Sequence, residues 1–258
     1  MTDPANKDRQ FVTALARGLE VLRAFRPGDG ALGNNDLVAR TGLPKPTISR
    51  LTGTLTELGY LIHSPRSGTY QLGTGVLALG YAMLANIGLR DRARPAMKEL
   101  AEQASVTVAL GARDRLSVVY LEVCKGPQII TISRNVGERL PVESTAMGLA
   151  ILATLPEAER DYLLRALHER DRAAFPAIEK SVARATKEIA SQGFCTSFGG
   201  WIPDVNAVVA PVVSDDGENV YAINVGGPSF MVTQDRLSDD LGPRLAGIAR
   251  MLAVPRPA

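Results

Sequence analysis

GLPKPTISRLTGTLTELGYL, residues 42–61, carries Ile48, Leu51, Leu55 and Leu58 at i, i+3, i+7 and i+10, a single apolar stripe at helical spacing. Pro44 and Pro46 suit a first helical turn, where a missing N–H costs nothing, and Gly59 suits a stop. The helix runs to Leu58. Its other face presents Lys45, Thr47, Ser49, Arg50, Thr52 and Thr54. Threonine and serine are mediocre helix formers, so packing of the apolar stripe must hold the segment. Short hydroxyls let a helix sit deep in a groove about 12 Å wide and bond phosphates or base edges. Arg50 is the one long side chain among them, placed either for a bidentate contact to guanine or for a phosphate. Gly53 allows close approach to DNA or to the first helix. Lys45 and Arg40 read as contacts to the nucleic-acid backbone.

The flanks fit the same picture. FVTALARGLEVLRAF (residues 11–25) spaces Leu15, Leu19, Leu22 and Phe25 along one helical face. The turn RPGDGALG follows, then a short helix NNDLVARTG. Asn34 or Asn35 is its N-cap, Asp36 lies in its first turn and Gly42 is its C′ glycine. Downstream, Tyr60–His63 and Thr69–Leu72 read as strands around SPRSG, a hairpin with Arg66 at its tip. A helix, a tight turn, a hydroxyl-rich helix and a basic-tipped hairpin point to a DNA-binding helix-turn-helix. The plainer alternatives are a helical domain that binds protein and, for Arg66, a solvated turn arginine.

GVLALGYAMLANIG (residues 75–88) is a helix too apolar to stand alone, and its position between two modules favours dimerisation over intramolecular packing. Beyond it, TVALGAR, LSVVYLEV and QIITISR read as strands. STAMGLAILATL, AERDYLLRALHE and FPAIEKSVARATKEIASQG read as helices. NAVVAPVV and NVYAINV form a second hairpin with Asp216-Gly217 in its turn, and RLSDDLGPRLAGIARMLA closes as a helix. Strands, then helices, then strands predict an α+β domain with an antiparallel sheet.

Composition narrows the function. Residues 1–89 hold 9 Lys/Arg against 6 Asp/Glu, so +3, and the remainder 20 against 21, so −1. A mildly basic first third is compatible with nucleic acid. No apolar run approaches the roughly 20 residues of a membrane span, and the polar N-terminus has no signal-peptide core. A cytoplasmic chain with two free thiols, Cys124 and Cys195, is expected. His63 and His168 belong to no catalytic constellation, and no phosphate loop, nucleophile elbow or metal-ligand spacing occurs. Cys195 reads as a small buried hydrophobe rather than a nucleophile. No cofactor, metal or enzyme activity is expected.

With these residues in view, the chain resembles the IclR family of bacterial transcription regulators. ALARGLEVLRAF is similar to the family's first helix and DLVARTGLPKPTISRLTGTLTELGYL to its second and recognition helices. YQLGTGVLALG resembles the passage from wing to linker. LPVESTAMGLAIL and GFCTSFGGWIPDVNAVVAPVVSDDGENVYAINVGGP resemble the two segments that line the family's effector pocket. The resemblance implies a winged helix-turn-helix DNA-binding domain over 1–73, a linker and dimerisation helix over 74–90 and a GAF-like effector-binding domain over 91–258. It also implies double-stranded operator DNA and a small organic acid as partners, and a homodimer, which in the family often pairs into a dimer of dimers; the resemblance leaves dimer and tetramer both open. By position, it carries the effector pocket onto Ala146, Met147, Ala207, Asn224 and Gly226.

Departures shape the ligand. Leu149 and Glu143 stand where the family has lysine and histidine, Trp201 enters in GGWIPDV, and Asn224 and Gly226 replace two serines. A ligand with an aromatic or apolar body beside Trp201, anchored by Asn224 and Thr145, is therefore expected, with Trp201 as core packing the alternative. Against a ligand-controlled DNA-binding regulator stand a sensor that no longer binds DNA and an enzyme concealed in the second domain.

Overall fold

The computed structural model describes residues 11–127, 134–214 and 217–253. The chain divides between Asn86 and Ile87 into two compact units. The first contains α1 (Thr13–Arg23), β1 (Leu32–Gly33), α2 (Asn34–Thr41), α3 (Lys45–Glu57), β2 (Leu61–Ser64), β3 (Thr69–Leu72) and α4 (Thr74–Ala85). Its small antiparallel sheet has the order β1-β3-β2, with Leu61 opposite Leu72 and Ser64 opposite Thr69. Val21, Leu32, Leu37, Leu43, Ile48, Leu55 and Leu61 form the core. Burying an aliphatic side chain contributes about 2 kcal/mol, whereas a threonine or serine in a helix costs about 0.5 kcal/mol. Packing of Ile48 and Leu55 therefore offsets the poor propensity of α3's outer face.

Two expected stripes shift. Leu58 is 63 % exposed, because α3 ends at Glu57 and Leu58 is already its cap; Gly59 then takes φ +77°. On α1, Leu15 and Leu19 are also exposed, and Gly18 and Val21 are buried instead. A Cβ at Gly18 would stand 3.9 Å from Leu51, so the glycine marks where α3 approaches. The cap of α2 is Gly33, not an asparagine: its N–H donates to Asp36 Oδ2 at 2.8 Å. Gly42, at φ +70°, closes α2 as expected.

The second unit holds α5 (Gly88–Ala104), β4 (Thr107–Asp114), β5 (Ser117–Lys125), β6 (Arg139–Pro141), α6 (Ala146–Thr154), α7 (Glu157–Arg170), α8 (Phe175–Gln192), β7 (Cys195–Phe198), β8 (Val205–Val213), β9 (Val220–Pro228), a π-helical turn over Arg236–Leu241 and α9 (Gly242–Leu252). The strands form one antiparallel sheet in the order β6-β5-β4-β9-β8-β7. Val208, Val209 and Ala210 are all fully buried, so both faces of β8 are covered. Helices α5 and α9 pack on one face; α6, backed by α8, packs on the other. The architecture is α+β with an antiparallel sheet. The short strands β1, β6 and β7 are additional to those read from the sequence. The expected strand over 128–134 falls outside the described residues except for Arg134, and Asp216 of the second hairpin turn also lies outside them.

Candidate functional site

In the first unit, Lys45, Ser49, Arg50 and Thr54 are exposed along α3, Thr47 is half-buried, and Arg66 is exposed at the hairpin tip. Beyond α3's own backbone, no atom of the described residues comes within 4 Å of a Cβ built on Gly53, so the glycine serves no contact with the first helix. Thr52 departs from the expected face. It is fully buried, and its hydroxyl donates back to Ile48 O at 3.0 Å and Ser49 O at 3.2 Å. Four residues after Ile48, it lies on the core side of the helix. Arg40 is likewise committed internally: it pairs with Asp29 through both terminal nitrogens and donates to Ala24 O at 2.9 Å. The Arg40 hydrogen bond to Asp29, with one from the Arg26 N–H, holds the Asp29 carboxyl below its ordinary pKa. The clamp fixes the connection between α1 and α2, and with it the seat of α3.

In the second unit, a cavity of about 60 Å³ lies between the sheet and the start of α6. Its floor comes from neighbouring strands: Ala109 is opposite Asn224, and Gly226 is opposite both Thr107 and Ala207. Small side chains at Ala109, Ala207 and Gly226 leave a hollow there. Thr145 caps α6, accepting from Gly148 N at 3.2 Å and donating to Pro141 O at 2.7 Å. Gly148 is required at this point, because a Cβ would lie 2.0 Å from Val142 O. The cap brings Thr145, Ala146 and Met147 to the cavity rim, where the positive end of the helix faces inward.

All seven residues expected at an effector pocket line this cavity: Thr145, Ala146, Met147, Trp201, Ala207, Asn224 and Gly226. Thr145 has its proton committed to Pro141 O, so it offers a ligand only acceptor capacity. Asn224 Oδ1 is buried and has no hydrogen-bond partner. Sequence reading missed Tyr120, Arg134 and Ser197, which also line it. Arg134 is the only charged residue among the described lining. Its guanidinium carbon lies 4.9 Å from the Trp201 ring centroid, a cation–π distance, and its Nη1 is 3.8 Å from Glu138 Oε2, a loose pairing. Burial raises the Tyr120 phenol pKa, so the group remains a neutral donor at neutral pH. An arginine, a helix N-terminus and neutral donors around an apolar hollow favour a small anion with a hydrophobic body. Cys195 lies outside the lining. Burial pushes its pKa up to about 12, which argues against a thiolate nucleophile.

Residues 81–254 match the family model described as bacterial transcriptional regulator IclR C-terminal, and residues 14–65 match the IclR helix-turn-helix domain. The chain belongs to the IclR family. It is 37 % identical to the HTH-type transcriptional regulator TsaQ1/TsaQ2 of Comamonas testosteroni over 91 % of this chain and 85 % of that one. An IclR family transcriptional regulator from Brucella abortus is 48 % identical and superposes with a TM-score of 0.86, covering 96 % of this chain and 94 % of its own. An IclR homologue from Microbacterium hydrocarbonoxydans, solved in complex with 4-hydroxybenzoate, shares the fold at 22 % identity and a TM-score of 0.69, over 93 % and 95 % of the two chains. As an IclR-family protein, the chain is a transcriptional regulator with a helix-turn-helix DNA-binding unit and a ligand-binding C-terminal unit. Its homologues are regulators, not enzymes, and none of its described helices is long and apolar enough to cross a membrane.

Proposed function

We propose that the chain is a cytoplasmic, homodimeric regulator whose affinity for operator DNA is set by a small aromatic acid held in the C-terminal cavity. The observation that carries the ligand class is Arg134, the lone charge of the described lining, stacked over Trp201. In this reading the ligand carboxylate takes Arg134 from its loose pairing with Glu138. A cavity of about 150 Å³ holds a benzene ring, so the present 60 Å³ must open at its rim as the ring enters along Trp201 and the apolar floor; a polar substituent then donates to the unpartnered Asn224 Oδ1. The relative that binds 4-hydroxybenzoate supports an acid of this kind. DNA is read by α3 through Lys45, Thr47, Ser49, Arg50 and Thr54, with Arg66 reaching a flanking phosphate; Thr52 holds the helix from inside. The functional division is DNA binding over 1–73, linker over 74–90 and effector binding over 91–258. Helix α4 buries no residue, leaving Leu77, Leu79, Tyr81 and Met83 exposed, and these supply the dimer contact. A dimer sets the spacing of two recognition helices, and a ligand that prefers one arrangement shifts that equilibrium.

Trp201 is the only tryptophan in the chain, so its fluorescence reports the cavity. Titration with 4-hydroxybenzoate is expected to quench it saturably, and Arg134→Met is expected to raise Kd by about 10- to 100-fold, the worth of a hydrogen bond to a charged group. Absence of quenching, or a Kd indifferent to Arg134→Met, contradicts the assignment.

A further inference from the structure

The strand that carries Tyr120 into the cavity contains an irregularity just beyond it. In the β4–β5 ladder Gly111 is opposite Tyr120 and Leu110 is opposite Glu122, which leaves Leu121 as the extra residue of a β-bulge. In a regular strand residues i and i+2 share a face, so Glu122 would point with Tyr120 towards the cavity. The bulge turns it to the other face, towards α5. There the Glu122 carboxylate, with its side chain 7 % exposed, lies 2.7 Å from Arg90 Nη2, an ion pair by distance without the alignment of a hydrogen bond. Arg90 Nε donates to the carbonyl of the bulged Leu121 at 3.2 Å. Arg90 thus grips both the bulged backbone and the side chain after it.

Position gives this grip its consequence. Arg90 lies in the first turn of α5, four residues beyond Asn86, where the first unit ends. Leu121, left outside the ladder by the bulge, is tied by its carbonyl to Arg90 instead, so a displacement of the adjoining Tyr120 reaches α5 through this contact. We propose that the Arg90–Glu122 pair, seated on the β5 bulge, couples occupancy of the cavity to the setting of the segment that joins the two units. The inference rests on the reading of the cavity as the effector site. The pair is a positioning device: it touches neither ligand nor DNA.

The test uses the full chain, with 4-hydroxybenzoate as the probe, Trp201 quenching to measure binding and amide hydrogen exchange over residues 84–92 to measure the response. Arg90→Met combined with Glu122→Leu removes both charges, so no buried charge is left alone. Native chain is expected to change exchange by about 5-fold on binding, the low end of allosteric coupling. The double variant is expected to keep Kd within about 2-fold, below 0.5 kcal/mol of binding energy, and to lose the exchange response. Arg90→Lys keeps the charge opposite Glu122 but loses the Nε bond to Leu121. It is expected to respond to an intermediate degree, and it carries the test if the double variant does not fold. Quenching with a native-sized response in the variants overturns the coupling alone, as does a native chain that binds without responding. A native chain that shows no quenching overturns the cavity reading and the coupling with it.

Discussion

Cys195 opens β7 with 2 % of its surface exposed, and burial raises its pKa from 9.0 to about 12. Three pKa units lower the thiolate fraction at neutral pH about 1,000-fold. Iodoacetamide at pH 8 is therefore expected to modify half-buried Cys124 well before Cys195, the two converging only after unfolding in guanidinium. Peptide mass spectrometry over a time course reads both sites, and equal rates in the folded chain contradict the burial argument. The sign for stability follows: the folded state holds its proton between pH 9 and about 12 while the unfolded chain releases it, so stability falls as pH rises through that window. Arg134 shows the converse case, a charge at the cavity that, among the described residues, has a loose ion pair with Glu138 and the face of Trp201. Burial makes the thiol inert, whereas a place in the cavity lining leaves the guanidinium available to a ligand.

Helix α6 depends on a contact that admits no side chain at Gly148. A Cβ there meets Val142 O at 2.0 Å, so Gly148→Ala is expected to cost about 3 kcal/mol and to displace the Thr145 cap from the cavity. A lowered urea midpoint with weakened Trp201 quenching is the expected result, whereas unchanged stability contradicts the packing. Elements such as α3 were legible in the sequence because their ends are written in local chemistry: prolines in the first turn, glycine after the last. The faces were less so. Apolar residues occupy both sides of α1, and a stripe alone does not say whether Leu15 and Leu19 or Gly18 and Val21 meet the core. Thr52 was misplaced because a hydroxyl that bonds its own helix passes for a polar face. In the cavity, Ala207 and Asn224 were legible through the family resemblance. Arg134 was not, because it lies in an irregular segment and meets Trp201 only through the fold.

The association of chains rests on α4, whose exposed Leu77 and Tyr81, 73 % and 71 % accessible, lie one helical turn apart. Sedimentation equilibrium is expected to give about twice the 27.5 kDa chain mass, and Leu77→Lys with Tyr81→Lys is expected to give the single chain. A native protein that sediments as a monomer contradicts a dimer built on this helix. Regulation needs the parts together: two α3 helices set by a dimer, and a ligand cavity that biases their spacing. All of it depends on α3 being the surface that meets DNA. Fluorescence anisotropy with duplex DNA from upstream of the chain's own coding sequence, comparing the native chain with Arg50→Ala across a salt series, tests that directly. Loss of a base or phosphate contact from Arg50 is expected to weaken binding by about 1–3 kcal/mol, or roughly 5- to 150-fold, with affinity falling steeply as salt rises. Equal affinity of the two proteins, or no binding by the native chain at low salt, would contradict the assignment of α3 as the DNA-reading helix.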